Sequence, residues 1–167
     1  YTNGPTLGQT GSINGDADTS TYFDRASSEY VEFAHSNDYL IDDGTVQFWF
    51  NVDSVVPQFQ GLFSKDHSNA GTGGHLSIYM EYDILKIRFQ SATAGASGEY
   101  FIQTPSSVTA AQWHHVAFTF GANGMGLYLD GKLVDSHSYT GGLGTTSGGT
   151  GNYEPFVLGG LTWTSPP

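Results

Sequence analysis

Three polar side chains alternate near the start of the chain, in the segment Ile-Asn-Gly-Asp-Ala-Asp: Asn14, Asp16 and Asp18. Oxygen ligands at alternate positions of a loop can converge on one calcium ion. No glutamate follows at the spacing that an EF-hand loop requires. Two interpretations therefore stay open, a calcium-binding loop and a solvated turn.

A second set of candidate residues lies in residues 45–52, where apolar and polar side chains alternate as in a half-buried strand. We expect the apolar set to face the core and the polar set to face outward, with Trp49 between Gln47 and Asn51. An outward tryptophan among polar neighbours is typical of a residue that stacks on a sugar ring. The alternative is that a loop of the chain covers the ring.

Two further segments, His75–Glu81 and Ile84–Gln90, also alternate and predict a hairpin across Tyr82 and Asp83. Their outward positions, combined with the tryptophan, predict a polar, aromatic and partly cationic ligand face of Trp49, His75, Tyr79 and Arg88. The alternative is that the two basic residues of the second strand pair across the hairpin with Glu81.

The strand pattern is strongest in residues 113–135. Residues 113–120 alternate, a Gly- and Asn-rich turn follows, and Met125–Leu129 forms a second strand. Asp130-Gly131 is then a strong two-residue hairpin signal, because a type I′ turn needs positive φ at both central positions. A third strand starts at Lys132, so the stretch predicts an antiparallel β-meander.

The same stretch carries a family resemblance. Trp-His-His-Val-Ala at 113–117 and Leu-Tyr-Leu-Asp-Gly-Lys-Leu-Val at 127–134 resemble laminin-G-like members of the concanavalin A-like lectin/glucanase superfamily. Matching segments elsewhere are residues 22–24, 30–33, 45–52, 62–65 and 156–160. The resemblance implies an all-β, two-sheet antiparallel jelly-roll sandwich over residues 1–167. Compared with the family pattern, we expect one strand to be missing at each end, which would leave a sheet edge open to neighbouring chains.

The resemblance also implies a calcium ion at the sandwich rim, held by an acid from one loop and by Asn, Asp or Glu from another. The loop order places Asp66 and Asn69 in the first loop and Asn152 and Glu154 in the second. All are oxygen ligands, which favours Ca²⁺ over a transition metal. Such an ion would leave coordination positions for sugar hydroxyls.

Composition narrows the classes of partner. The chain has 167 residues, 5 Lys plus Arg against 16 Asp plus Glu, a net charge of −11 and no cysteine. This balance argues against nucleic acid and anionic membranes, which attract basic patches. No apolar run is long enough for membrane insertion as a helix. The low fraction of charged residues, 13%, and the high Gly, Ser and Thr content are typical of a secreted or cell-surface bacterial module.

Catalytic motifs of the superfamily are not matched. The glucanase branch implies Glu-x-Asp-x-x-Glu, whereas the nearest run, from Glu81, has Lys86 as its last position and Asp83 in a turn. We therefore expect a non-catalytic, calcium-assisted carbohydrate-binding or adhesion module with a glycan or polysaccharide as ligand. The alternatives are a structural domain that pairs with neighbouring chains and a polysaccharide-cleaving enzyme.

Overall fold

The computed structural model describes residues 1–67, 73–93 and 98–162. Within these residues the protein is built of β-strands, with three-residue 3-10 turns and no α-helix. The strands are β1 (Thr6–Thr10), β2 (Thr19–Tyr22), β3 (Val31–Phe33), β4 (Gly44–Phe50), β5 (Phe59–Lys65), β6 (His75–Glu81), β7 (Ile84–Gln90), β8 (Glu99–Gln103), β9 (His114–Phe120), β10 (Met125–Leu129), β11 (Lys132–His137) and β12 (Phe156–Leu158).

Two antiparallel sheets form a sandwich. One has six strands in the order β3-β12-β5-β6-β7-β8, and the other has four in the order β11-β10-β9-β4. The sheets meet through apolar side chains, and Phe89 of the first lies 6.0 Å from both Phe118 and Phe120 of the second, between ring centroids. The predicted all-β sandwich is therefore confirmed, because each sheet buries the face on which its apolar residues alternate.

The predicted meander is present as β9, β10 and β11. Asp130 and Gly131 have φ values of 51° and 78°, as a type I′ turn requires. In β9, Val116 and Phe118 are fully buried on the core face. The hairpin of β6 and β7 is also present, with Tyr82 and Asp83 in the turn.

The first two strands form a separate two-stranded sheet. Every residue of β1 is exposed, so this hairpin adds nothing to the core. The sequence pattern did not separate it from the sandwich, because residues 1–20 carry few large apolar side chains from which a buried face could be recognised.

After β12 the chain turns back across the outer side of β5. A Cβ atom on Gly61 would lie 2.6 Å from the backbone oxygen of Gly160, so only glycine allows this approach. Thr162 Oγ1 then donates a hydrogen bond to the backbone oxygen of Asp66 at 2.6 Å and lies 2.8 Å from Ser64 Oγ. The returning segment therefore covers part of the six-stranded sheet.

The loop before β12 is anchored by a buried lysine. Lys65 is 1% exposed and lies on the same face as its cross-strand partner, Leu76. Its Nζ donates to the backbone oxygens of Asn152, at 2.9 Å, and Glu154. In return, Asn152 Nδ2 donates to the backbone oxygens of Lys65 at 2.6 Å and Gly74 at 2.7 Å. These side-chain hydrogen bonds thus fix a loop that has few apolar groups.

Burial lowers the pKa of Lys65 from its usual 10.5 to about 8, although the nearby Glu154 carboxylate raises it. Because the folded pKa is below the unfolded one, the unfolded chain binds more protons between these values. The contribution of this group to stability therefore increases as the pH rises through 8.

We predict that Lys65→Met lowers the free energy of unfolding by about 2 to 4 kcal/mol, since two carbonyl groups lose a buried donor. The measurement is urea denaturation at pH 7. The control is Lys86→Met, the same substitution at a partly exposed pair with Glu81, where we expect at most about 1 kcal/mol.

Between pH 8 and pH 10 the wild type should gain stability relative to Lys65→Met. Equal losses in the two variants, or a difference that does not change with pH, would contradict the assigned role of Lys65.

Candidate functional site

The predicted ligand face is divided between the two sheets. Trp49 lies on β4 of the four-stranded sheet, whereas His75 and Tyr79 lie on β6 and Arg88 on β7 of the six-stranded sheet. The prediction of one shared face was therefore wrong. Alternation along a strand shows which residues share its faces, but it does not show which sheet the strand joins.

The three residues of the six-stranded sheet are also buried: His75 is 1% exposed, Tyr79 3% and Arg88 6%. They face away from the sandwich core, as predicted, but this outer face is covered in part by the segment that returns after β12. The expectation that they are open to a ligand was wrong, because each is more than nine-tenths buried. The alternative of cross-strand pairing with Glu81 holds for Lys86.

A buried polar network occupies this outer face, centred on Asp66. Its Oδ2 accepts hydrogen bonds from Arg88 Nη1 at 2.7 Å and from Ser77 Oγ at 2.8 Å. Its Oδ1 accepts from the backbone N–H of His67 at 2.8 Å and lies 3.0 Å from His75 Nδ1. Both carboxylate oxygens are thus engaged by protein donors.

The charge of Asp66 is stabilised by these contacts. Burial alone raises the pKa of Asp66, but the His75 hydrogen bond, the Arg88 charge and the Ser77 hydroxyl outweigh burial and hold the pKa below its usual 3.8. Arg88 in turn donates from Nε and Nη2 to Glu99 Oε1, at 3.0 and 2.6 Å. The network therefore joins the end of β5 to β6, β7 and β8.

The predicted rim calcium site does not assemble among the residues that the structure describes. The carboxylate of Asp66 is engaged in the network above, and the amide of Asn152 is engaged with β5 and Gly74. The backbone oxygens of Asn152 and Glu154 accept hydrogen bonds from the ammonium group of Lys65. Asn69 lies outside the described residues.

The acidic segment between β1 and β2 behaves as a turn. Asn14, Asp16 and Asp18 are exposed, and Asp16 Oδ1 accepts a hydrogen bond from the backbone N–H of Asp18 at 2.9 Å. In residues 1–67, 73–93 and 98–162, no group of three His, Cys, Asp or Glu is placed to hold a metal. Calcium binding stays a prediction.

An open groove of about 1240 Å³ lies along β4. Because β4 is an edge strand, the groove meets both its outward Trp49 and its inward Phe48. The opposite wall is the segment from the end of β1 to β3, and residues 158–161 lie beside it. Of the residues predicted on the outer face of β4, Trp49 and Asn51 line this groove, and Gln47 is exposed on the same strand.

Several aromatic side chains line the groove. Trp49 is 47% exposed, and its ring centroid lies 5.2 Å from that of His115, its cross-strand neighbour on β9. This contact leaves much of the indole free. Tyr22 is 45% exposed and Phe59 41%, and Phe59 is positioned by an edge contact with Tyr79 at 5.4 Å. The groove therefore presents several flat apolar surfaces to solvent.

Four carboxylates and one guanidinium belong to the lining: Asp18, Asp24, Glu29, Asp53 and Arg25. Asp24 Oδ1 accepts from the backbone N–H of Ala26 at 3.0 Å, and Glu29 Oε2 accepts from that of Asp24 at 2.6 Å.

The carboxylates act on a tyrosine of the same groove. The pKa of Tyr22 is raised above its usual 10.0, mainly by the charge of Asp53, with smaller effects of burial and of the charges of Asp24 and Glu29. The groove thus combines rings with a negative potential.

One polar atom of the groove lining lacks a partner among the described residues. Gln60 Oε1 is buried without a hydrogen bond, while its Nε2 donates to the backbone oxygen of Ser54 at 3.3 Å. An acceptor in this state is costly unless a donor reaches it.

The family comparison agrees with the fold. The profile of the family Laminin_G_3, described as the concanavalin A-like lectin/glucanases superfamily, matches residues 25–167. The chain belongs to this superfamily. A comparison of its sequence with curated proteins finds no match.

Solved structures of similar fold include a CBM40 domain of a Ruminococcus gnavus sialidase, at 13% identity and a TM-score of 0.58, over 80% of this chain and 79% of that one. Domains LG4-5 of the mouse laminin alpha1 chain share 15% identity and a TM-score of 0.53, over 70% of this chain and 28% of that one.

Domain 4 of AbnA, an extracellular arabinanase from Geobacillus stearothermophilus solved with arabinotriose, shares 19% identity and a TM-score of 0.54, over 83% of this chain and 60% of that one. At such identities these likenesses show the fold. In the described part of the chain, no helix has the length and apolarity to cross a membrane.

We predict that Asp66→Asn lowers the free energy of unfolding by about 3 to 5 kcal/mol, because it removes the buried partner of Arg88. Chemical denaturation measures it. The control is Glu99→Gln, at the partner of Arg88 that is 27% exposed, where we expect a smaller loss.

Because the pKa of Asp66 is depressed, its contribution is present above pH 3.8 and is lost as the pH falls through the folded pKa. The difference in the free energy of unfolding between the wild type and Asp66→Asn should therefore become smaller below pH 3.8. A small difference in the free energy of unfolding at pH 7 would contradict the central role of Asp66 in the buried network.

Proposed function

We propose that this domain is a non-catalytic carbohydrate-binding module that holds a glycan in the groove along β4. The observation that carries the proposal is the half-exposed Trp49 indole in an open groove of about 1240 Å³. Pockets for small molecules are typically about 300 to 1,000 Å³, so this groove has room for several sugar units.

The lining suits the chemistry of sugars. A pyranose ring has an apolar face of C–H groups, which can cover an aromatic ring, and a rim of hydroxyls, which need hydrogen-bond partners. Trp49, Tyr22 and Phe59 supply the rings. Asn51 and Gln58 supply amides, which both donate and accept. Exposed aromatic surface of this extent is typical of a binding surface.

The comparisons support the same class of ligand. The domain from the Ruminococcus gnavus sialidase is a carbohydrate-binding module that has also been solved with sialyllactose, and the arabinanase domain was solved with arabinotriose. We extend only the general class, a glycan or polysaccharide, to this chain. A secreted or cell-surface location in a bacterium belongs to the proposal.

Absence of catalysis is also part of the proposal. The carboxylates of the nearest glucanase-like run have other partners, since Glu81 pairs with Lys86 and Asp83 accepts from Ser107 Oγ. Pairing with neighbouring chains and cleavage of polysaccharides are the two competing functions. Release of reducing sugar from polysaccharides would show cleavage.

Calcium assistance stays a prediction. Titrations with calcium and with a chelator decide it. Binding that the chelator abolishes would place a metal in the site, and binding that the chelator leaves unchanged would remove calcium from the proposal.

We predict that Trp49→Ala weakens glycan binding by about tenfold or more, because the loss of a central aromatic anchor removes most of its contact energy. A glycan array selects the ligand and isothermal titration gives the affinity. The melting temperature should change little, since the indole is 47% exposed.

The matched control is Phe101→Ala, at a ring that is 49% exposed on β8 of the other sheet, and it should bind like the wild type. Unchanged affinity of Trp49→Ala, or a wild type that binds no glycan on the array, would contradict the proposal.

A further inference from the structure

The groove along β4 has a strongly asymmetric charge. Four carboxylates line it, and Arg25 is the one basic side chain among its described lining residues. At low ionic strength the field of these carboxylates acts on a charged ligand that approaches the groove. A ligand with carboxylate groups would therefore be repelled in this groove, whereas a cationic ligand would be attracted.

The raised pKa of Tyr22 has the same carboxylates as its main cause. A phenol that resists ionisation reports a negative potential at its oxygen, and Asp53 is the main cause. Asp24 and Glu29 add to the potential, but both also hold the turn of residues 24–29 through hydrogen bonds. Asp53, close to the end of β4, is thus the carboxylate that acts most directly on the groove.

The rings favour the same kind of ligand. An ammonium group over an aromatic face is attracted by the ring quadrupole, and tryptophan is the most effective ring. Trp49 and Tyr22 offer such faces in the groove that Asp53 lines.

We propose that the groove binds glycans with free amino groups, such as oligomers of deacetylated amino sugars, and excludes anionic glycans. The inference rests on the proposed function, because it names the class of glycan that the same groove takes. The ammonium groups lie against Asp53 and Tyr22 while sugar rings stack on Trp49.

The test compares three probes by isothermal titration: oligomers of glucosamine, oligomers of N-acetylglucosamine of the same length, and sialyllactose. The first two differ only in the amine and its acetyl group. We expect the glucosamine oligomer to bind at least tenfold tighter than the acetylated one, with a preference that falls as salt is added. Sialyllactose should not bind.

Two variants locate the preference. Asp53→Asn should reduce the affinity for glucosamine oligomers at least fivefold and leave that for the acetylated oligomers unchanged. Asp38→Asn, at an exposed aspartate that is not among the groove lining, should behave like the wild type.

Failure of the inference can be told from failure of the proposed function. If acetylated and free-amine oligomers bind equally and Trp49→Ala abolishes both, the amine preference is overturned while the glycan site stands. If sialyllactose binds tightest, the inference is overturned in the same way. If glucosamine oligomers bind Trp49→Ala as well as the wild type, the attraction is a property of the whole acidic surface, and the inference is overturned. If no probe binds and the array shows no glycan binding, both the inference and the proposed function are overturned.

Discussion

The ion pair between Asp66 and Arg88 decides which surface of the sandwich is available. It lies on the outer face of the six-stranded sheet, where Arg88 Nη1 and Asp66 Oδ2 are 2.7 Å apart. A buried pair is stable only when its remaining hydrogen-bonding groups are satisfied. His75, Ser77 and Glu99 satisfy them, and the segment that returns after β12 covers part of the same face. The groove along β4, by contrast, is open to solvent.

The groove depends on the same returning segment. Gly61 and Gly160 both line it, and their close approach lets the chain pass over β5 while leaving space beside β4. Lys65 holds the loop that leads into β12, so that β12 can pair with β3 and β5. The opposite wall belongs to the exposed hairpin of β1 and β2 and the residues after it. The groove and the sandwich core meet at the end of β4, where Phe50 and Val52 belong to both.

The sequence predicted what local periodicity controls. The meander with its Asp130-Gly131 turn, the β6–β7 hairpin and the outward position of Trp49 all follow from alternation and turn chemistry. Periodicity did not predict that Tyr79 and Arg88 are buried on an outer face, because alternation shows which face of a strand a residue lies on but not what packs over that face. It also missed Lys65, since a lysine at the end of a strand is expected to be solvated. The groove was missed because its wall is an exposed hairpin without a core pattern.

The most direct test of the account is a two-dimensional ¹H–¹⁵N NMR titration with the glycan chosen by the array, which reports every backbone and indole N–H at once. We expect the indole N–H of Trp49 and the amides of Tyr22, Asn51 and Asp53 to shift together and saturably, while those of Ser77 and Arg88 stay in place. Shifts concentrated on β6 and β7, with Trp49 unaffected, would show that the glycan enters the face that the Asp66–Arg88 pair closes, and would contradict the account.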